Sequence, residues 1–185
     1  MIICLLGASG SGKSTLEDEI STRYGYKKIV SYTTRRPRVG EVLDVDYHFI
    51  NNIQFEKMIL QGLFAEHDEY SQKRMYGTAK EDYQDGNKIV VLTPNGLRQL
   101  KKNCPNEKIF TVLVEASLGT RVKRYIDRCG VDKFDFDDKN EIAARVERDY
   151  SMFLGLEQEV DMVVDNSEGS NIGDIADEVI IACNL

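Results

Sequence analysis

The stretch GASGSGKST fills positions 7–15 and fits the pattern G-x-x-x-x-G-K-[ST] from Gly7 to Ser14. Gly7, Ala8, Ser9, Gly10, Ser11 and Gly12 are all small. The backbone there can wrap a phosphate, with loop amides and the next helix N-terminus pointing inward as donors. Lys13 supplies a point charge for β- and γ-phosphates, Ser14 offers a hydroxyl to magnesium, and Thr15 completes the stretch. An apolar strand before and an amphipathic helix after are the context this loop requires. The chemistry is binding of ATP or GTP, and the loop alone leaves the use of the nucleotide open.

A second cationic group lies in SYTTRRPRVGEVLDVDYHF, positions 31–49. Arg35 and Arg38 bracket Pro37, which stiffens the backbone between them. Guanidinium forks match phosphate oxygens two at a time. Ser31 and Tyr47 add neutral donors. Two phosphate sites on one chain point to a two-substrate phosphotransferase; a solvated basic turn is the plainer alternative for this segment alone. A third set comprises Arg121, Arg124 and Arg128, on one face of a helix over 118–129 by their i, i+3, i+7 spacing, with Arg145 on the following helix. Leu118, Val122, Tyr125, Ile126 and Cys129 form the opposite, apolar face.

These groups need a frame. IICLL (2–6) is continuously apolar, as a strand buried on both faces would be. Leu16, Ile20 and Tyr24 space a helix that Gly25 can close. KKIVSY (27–32), LFAEHDEY (63–70), KIVVL (88–92), KIFTVLV (108–114) and DMVVDN (161–166) read as strands. FEKMILQG (55–62) reads as a short helix stopped by Gly62, and Ser117 as the N-cap of 118–129. Ile142, Val146 and Phe153 space another helix, and Ile172, Ile175, Ala176, Val179 and Cys183 stripe the last. Residues 130–140 read as a mobile loop. Strands alternating with helices predict an α/β sandwich on a mainly parallel sheet.

The 185 residues carry a net charge of −7, which disfavours general nucleic-acid binding. Cys4, Cys104, Cys129 and Cys183 are far apart in sequence and fit free thiols better than a zinc site or a disulfide framework. MIICLL is too short for a signal-peptide core or a membrane span, so a soluble cytoplasmic protein is expected. Nothing in the sequence indicates an oligomeric state.

The 31–49 segment closely resembles the signature of guanylate kinases: T-T-R-x-P-R-x-G-E followed by D-Y-x-F. The likeness continues with gaps to the C-terminus. It implies a P-loop NTPase-type three-layer sandwich. A core (1–32, 83–120, 150–185) would carry a GMP-binding insertion (33–82) and a helical lid (121–149). The implied activity is ATP-dependent phosphorylation of GMP and dGMP in purine nucleotide metabolism, with Mg2+. The resemblance implies that Ser31, Arg35, Arg38, Tyr47 and Tyr76 hold the GMP phosphate. It assigns guanine to Glu66 and Thr78, and MYGT (75–78) matches a family turn. It also implies that Arg124, Arg128 and Arg145 close over ATP, whose adenine lies near Asn166. A carboxylate at 66 suits the job, since it can accept from guanine N1–H and the exocyclic amine, a donor pair adenine lacks.

One departure stands out. The family strand D-x-D-x-Q-G corresponds here to VLTPNG, so Val91 and Thr93 replace both acids. Thr93 could still bond a base amine, Glu41 is a candidate outer-shell carboxylate, and Ser14 with ATP oxygens and waters could hold magnesium. Two alternatives follow: a different nucleotide or phosphosugar acceptor, or a non-catalytic guanylate-kinase-like interaction module. The intact phosphate loop argues for the enzyme.

Overall fold

The computed structural model describes residues 1–38, 40–71, 74–129 and 136–185. Five parallel strands form the core sheet in the order β2-β7-β1-β8-β9: β1 (Ile2–Leu6), β2 (Lys27–Lys28), β7 (Lys88–Val91), β8 (Ile109–Glu115) and β9 (Met162–Asp165). All five residues of β1 are buried, and each faces one of two apolar layers. Ile3 and Leu5 join Leu16 and Ile20 of α1 (Lys13–Tyr24) and Ile175 and Val179 of α6 (Ile172–Cys183). Ile2, Cys4 and Leu6 join Leu97 and Leu100 of α3 (Pro94–Asn103) on the other face. This period-two split of a continuous apolar run makes a helix–sheet–helix sandwich.

β1 lies between β7 and β8, with Ile3 paired to both Ile89 and Phe110. Later strands flank that centre on both sides, β2 and β7 on one and β8 and β9 on the other, so a crevice opens at the carboxyl ends of the strands, where open α/β sheets bind ligands. The loop 7–12, Thr93 and Asn166 follow the carboxyl ends of β1, β7 and β9.

A second sheet, β4-β3-β6-β5, comprises β3 (Tyr32–Thr33), β4 (His48–Phe49), β5 (Phe64–Ser71) and β6 (Arg74–Ala79). Its β5–β6 and β3–β6 pairs are antiparallel. The single strand expected over 27–32 is therefore two. Ile29 still bonds the core through Ile89, but by Tyr32 the chain pairs with Gly77 of the other sheet. The helix expected over 55–62 is α2 (Asn52–Leu60), begun earlier by reciprocal Asn51–Gln54 side-chain caps. The edge strand β5 docks on α3 through amide side chains. Gln99 bonds both the N–H and the carbonyl of His67, and Asn103 bonds the carbonyl of Ala65.

Ser117 caps α4 (Leu118–Cys129) through the Thr120 amide, as expected. Leu118, assigned to the buried face, is instead 53% exposed, whereas Thr120 in the same turn is buried. The helix through Ile142, Val146 and Phe153 is α5 (Phe136–Phe153). It takes in residues 136–140, which the sequence suggested as part of a loop; residues 130–135 lie outside the described ones. No described helix is long and apolar enough to cross a membrane.

Candidate active site

The crevice is a cleft of about 530 Å³. It is lined by Gly7, Ser9, Gly10, Gly12, Lys13, Ser14 and Thr15 of the phosphate loop. Ser31, Arg35, Arg38, Tyr47, Glu66, Tyr76, Thr93 and Arg145 line it as well. Residues from both sheets and from α5 thus share one cavity of the size usual for small-molecule sites.

The loop's shape depends on its glycines. Gly7, Gly10 and Gly12 all have positive φ, and a Cβ on Gly7 would overlap the Val114 carbonyl. Lys13 Nζ donates to the carbonyls of Gly7 (2.7 Å) and Ala8 (2.9 Å), so its charge sits within the loop. Ser11 is wholly buried, its carbonyl accepting from Asn166 Nδ2 at 2.8 Å. Asn166 therefore braces the loop.

The arginines of α4 turn toward the same loop. Arg124 donates to the carbonyls of Gly10, Ser11 and Asn166, and Arg121 to that of Ser9. Arg121 also pairs with Asp149, a buried α5 carboxylate that accepts the Ser9 amide. Arg145 lines the cleft and lies over the Tyr125 ring at 5.3 Å. The side chain of Arg128 lies outside the described residues.

The arginine segment is tied to β6 by its two threonines. Thr33 Oγ1 donates to the Met75 carbonyl and accepts the Arg35 amide, while Thr34 Oγ1 accepts the Met75 amide. Arg35 is nearly buried, with its guanidinium over the Tyr47 and Phe49 rings at 5.1 and 5.7 Å. Glu41 takes both Arg35 terminal nitrogens at 2.8 Å and also the Arg38 amide. Expected as an outer-shell carboxylate for magnesium, Glu41 is outside the cleft lining and committed to orienting Arg35. Among the described residues Arg35 Nε is buried without a hydrogen-bond partner, a donor that an entering phosphate oxygen would satisfy.

Glu66 is buried at 4% exposure, and burial, reinforced by the nearby Asp68 charge, pushes its carboxyl up to about 7. Thr78 Oγ1 donates to Glu66 Oε1 at 2.8 Å and lies 2.7 Å from the Tyr83 hydroxyl. A threonine has one hydroxyl hydrogen, so Tyr83 is the donor to Thr78. Thr78, expected to touch the base, is fully buried outside the cleft lining and supports Glu66 instead. Sequence reasoning missed Tyr83, and it missed Asp68 and Glu17, both of which line the cleft. Glu17 lies one turn beyond Ser14 on α1, and burial pushes it up to about 7. A carboxylate at i+3 from the loop serine was the available signal.

A family model described as guanylate kinase matches residues 1–180. The chain belongs to the guanylate kinase family. It is 37% identical over 140 residues to the guanylate kinase of Carboxydothermus hydrogenoformans, covering 72% of this chain and 67% of that one. With the Clostridioides difficile guanylate kinase it shares 34% over 134 residues, covering 69% of this chain but only 64% of the relative. With that of Chlorobium luteolum it shares 30% over 187 residues, covering 98% and 89%. The guanylate kinase structure from Anaplasma phagocytophilum superposes with a TM-score of 0.70 at 19% identity, covering 99% and 84%, a likeness of fold. The chain is accordingly an enzyme of the ATP:GMP phosphotransferase class, and the comparisons favour neither another acceptor nor an interaction module.

Proposed function

We propose that this cleft positions ATP and GMP, or dGMP, for direct phosphoryl transfer. The carrying observation is that the phosphate loop, the Arg35–Arg38 segment and Glu66 line one cavity. An oxygen of the GMP phosphate attacks the γ-phosphorus, and the bond from that phosphorus to the β-bridging oxygen breaks, giving GDP and ADP. The nucleophile is an anion near neutral pH, with a second pKa near 6 for such a phosphate. The cleft therefore needs cations to bring two anions together rather than a base to remove a proton. Lys13 and the loop amides bind the donor phosphates, while Arg35, Arg38, Ser31, Tyr47 and Tyr76 bind the acceptor phosphate. Positioning of this kind is worth roughly 7–11 kcal/mol.

The residues fit Mg2+: the Ser14 hydroxyl lines the cleft, as do the carboxylates of Glu17 and Asp46. Ser14 would hold the ion, with the acids reaching its waters, since magnesium keeps much of its hydration. When bound, it neutralises charge on the β- and γ-phosphates. Residues 33–82, which contain all of the second sheet except Tyr32 of β3, form the GMP-binding unit in this reading. Residues 121–149 form the lid, with Arg124 and Arg145 facing the donor and Asn166 near the adenine; Arg128 is assigned to the donor with them by the family resemblance alone. Cytoplasmic purine nucleotide metabolism, without nucleic-acid partners, is consistent with the free thiols of Cys4, Cys104 and Cys183 and the acidic balance.

The test is ADP release with ATP and Mg2+ across GMP, dGMP, AMP, CMP, UMP and dTMP. Turnover with GMP or dGMP, abolished by Lys13→Ala and by Arg38→Ala, is expected. Turnover only with another monophosphate, or none despite nucleotide binding, would refute this reading.

A further inference from the structure

We propose that Asp68 is a specificity-determining residue that takes the exocyclic amine of guanine, completing a two-carboxylate base pocket with Glu66. The inference rests on the guanine reading above. Glu66 and Asp68 are two residues apart on β5, so they face the same side of the strand. Both line the cleft. Asp68 is held from the core sheet's side of the crevice. Thr93 Oγ1 donates to Asp68 Oδ2 at 2.6 Å, and Asn95 Nδ2 donates to Oδ1 at 3.2 Å. The Glu69 amide also donates to Oδ1, at 3.0 Å.

This geometry reassigns Thr93. Its one hydrogen goes to Asp68, and its oxygen accepts the Gly96 amide at 3.0 Å, capping α3. The hydroxyl has no hydrogen left for a base. What Thr93 presents to the cleft is an oriented carboxylate. Each carboxylate oxygen has about two acceptor sites, and Oδ2 of Asp68 has used one on Thr93. Guanine offers three hydrogens along one edge: N1–H and the two of the amine. Glu66 can match two, one at each oxygen. The second amine hydrogen needs another acceptor, and Asp68 supplies it. A nucleotide without the amine leaves that acid unmatched, and burying an unmatched polar group is the strong form of rejection.

The experiment measures kcat/KM for GMP and for IMP, which lacks the 2-amino group. It uses the full chain as wild type, Asp68→Ala, Asp68→Asn and the double variant Asp68→Ala/Thr93→Asp. Wild type is expected to prefer GMP. Asp68→Ala should lose about 10- to 100-fold on GMP, mainly through KM, and little on IMP, the scale of a hydrogen bond to a charged group. Asp68→Asn should lose less than Asp68→Ala, because its amide oxygen still accepts. The double variant should recover the preference, because position 93 already reaches within hydrogen-bond distance of the Asp68 carboxylate. ATP affinity unchanged in each variant marks an intact fold. Equal loss on GMP and IMP, no loss, or no recovery in the double variant would overturn the inference. GMP turnover by the wild type in those cases would leave the kinase reading standing; a wild type indifferent to the amine would overturn the two-carboxylate pocket, and no turnover of either nucleotide would sink the kinase reading itself.

Discussion

One oxygen of Asp149, Oδ2, accepts both the Ser9 backbone amide at 2.7 Å and the Arg121 guanidinium at 2.8 Å. The phosphate loop is thereby fastened to a helix 140 residues away in sequence, by a carboxylate only 1% exposed. Removing one partner of a buried pair strands the other. Asp149→Ala is expected to cost about 3–5 kcal/mol, read as a lower urea midpoint. In whatever fraction remains folded, KM for ATP should rise more than KM for GMP.

The Glu66 carboxyl, pushed up to about 7, gives GMP binding a pH dependence with a definite sign. The hydrogens of guanine require the ionised acid, so GMP affinity should increase as pH rises through about 7. The ionised fraction grows from about a tenth at pH 6 to about nine tenths at pH 8, so KM for GMP should fall roughly ninefold. Glu66→Gln should flatten that profile and weaken GMP throughout. A flat wild-type profile would contradict the assignment.

Stability of the nucleotide-free chain should run the other way. Glu17 and Glu66 keep their protons to about pH 7 when folded, against an ordinary value of 4.5. The folded form binds more protons than the unfolded one in that window, so stability falls as pH rises from about 4.5 to about 7 and then levels. Thermal unfolding between pH 4.5 and 8 checks this. Glu17→Gln should remove part of the slope, and a slope unchanged in that variant would count against it.

Gly96→Ala separates folding from substrate recognition. Gly96 sits in the first turn of α3, and a Cβ there would lie 2.6 Å from Glu66 Oε2. Alanine gains up to about 1 kcal/mol of helix propensity over glycine, so stability should hold or improve. The displaced carboxylate should still raise KM for GMP, about tenfold or more, with KM for ATP little changed. An unaltered KM for GMP would mean that Glu66 does not read the base.

Much of this architecture was legible because it is carried by local patterns. The run Ile2–Leu6, the loop after it and the spacing of Ile175, Ala176, Val179 and Cys183 each define their own element. What escaped depends on which segments meet. The acid missing from VLTPNG could not be located by scanning that strand, because Asp68 reaches Thr93 from β5, 25 residues earlier. Asp149 carries no local signal, because its partner is a backbone amide of the phosphate loop 140 residues away. The strand over 27–32 was divided because Ile29 and Tyr32 satisfy different sheets, a choice set by tertiary pairing rather than by propensity.

The amide side chains of α3 have a consequence for how copies of this chain behave when crowded. β5 is the long outer strand of its sheet, and such a margin offers unpaired backbone groups to any extended segment nearby. Gln99 and Asn103 already occupy the outward groups of Ala65 and His67. The opposite margin, β4, is only two residues long and offers little template. The helix that supports the base pocket therefore also blunts the strand most open to strand-by-strand association between molecules.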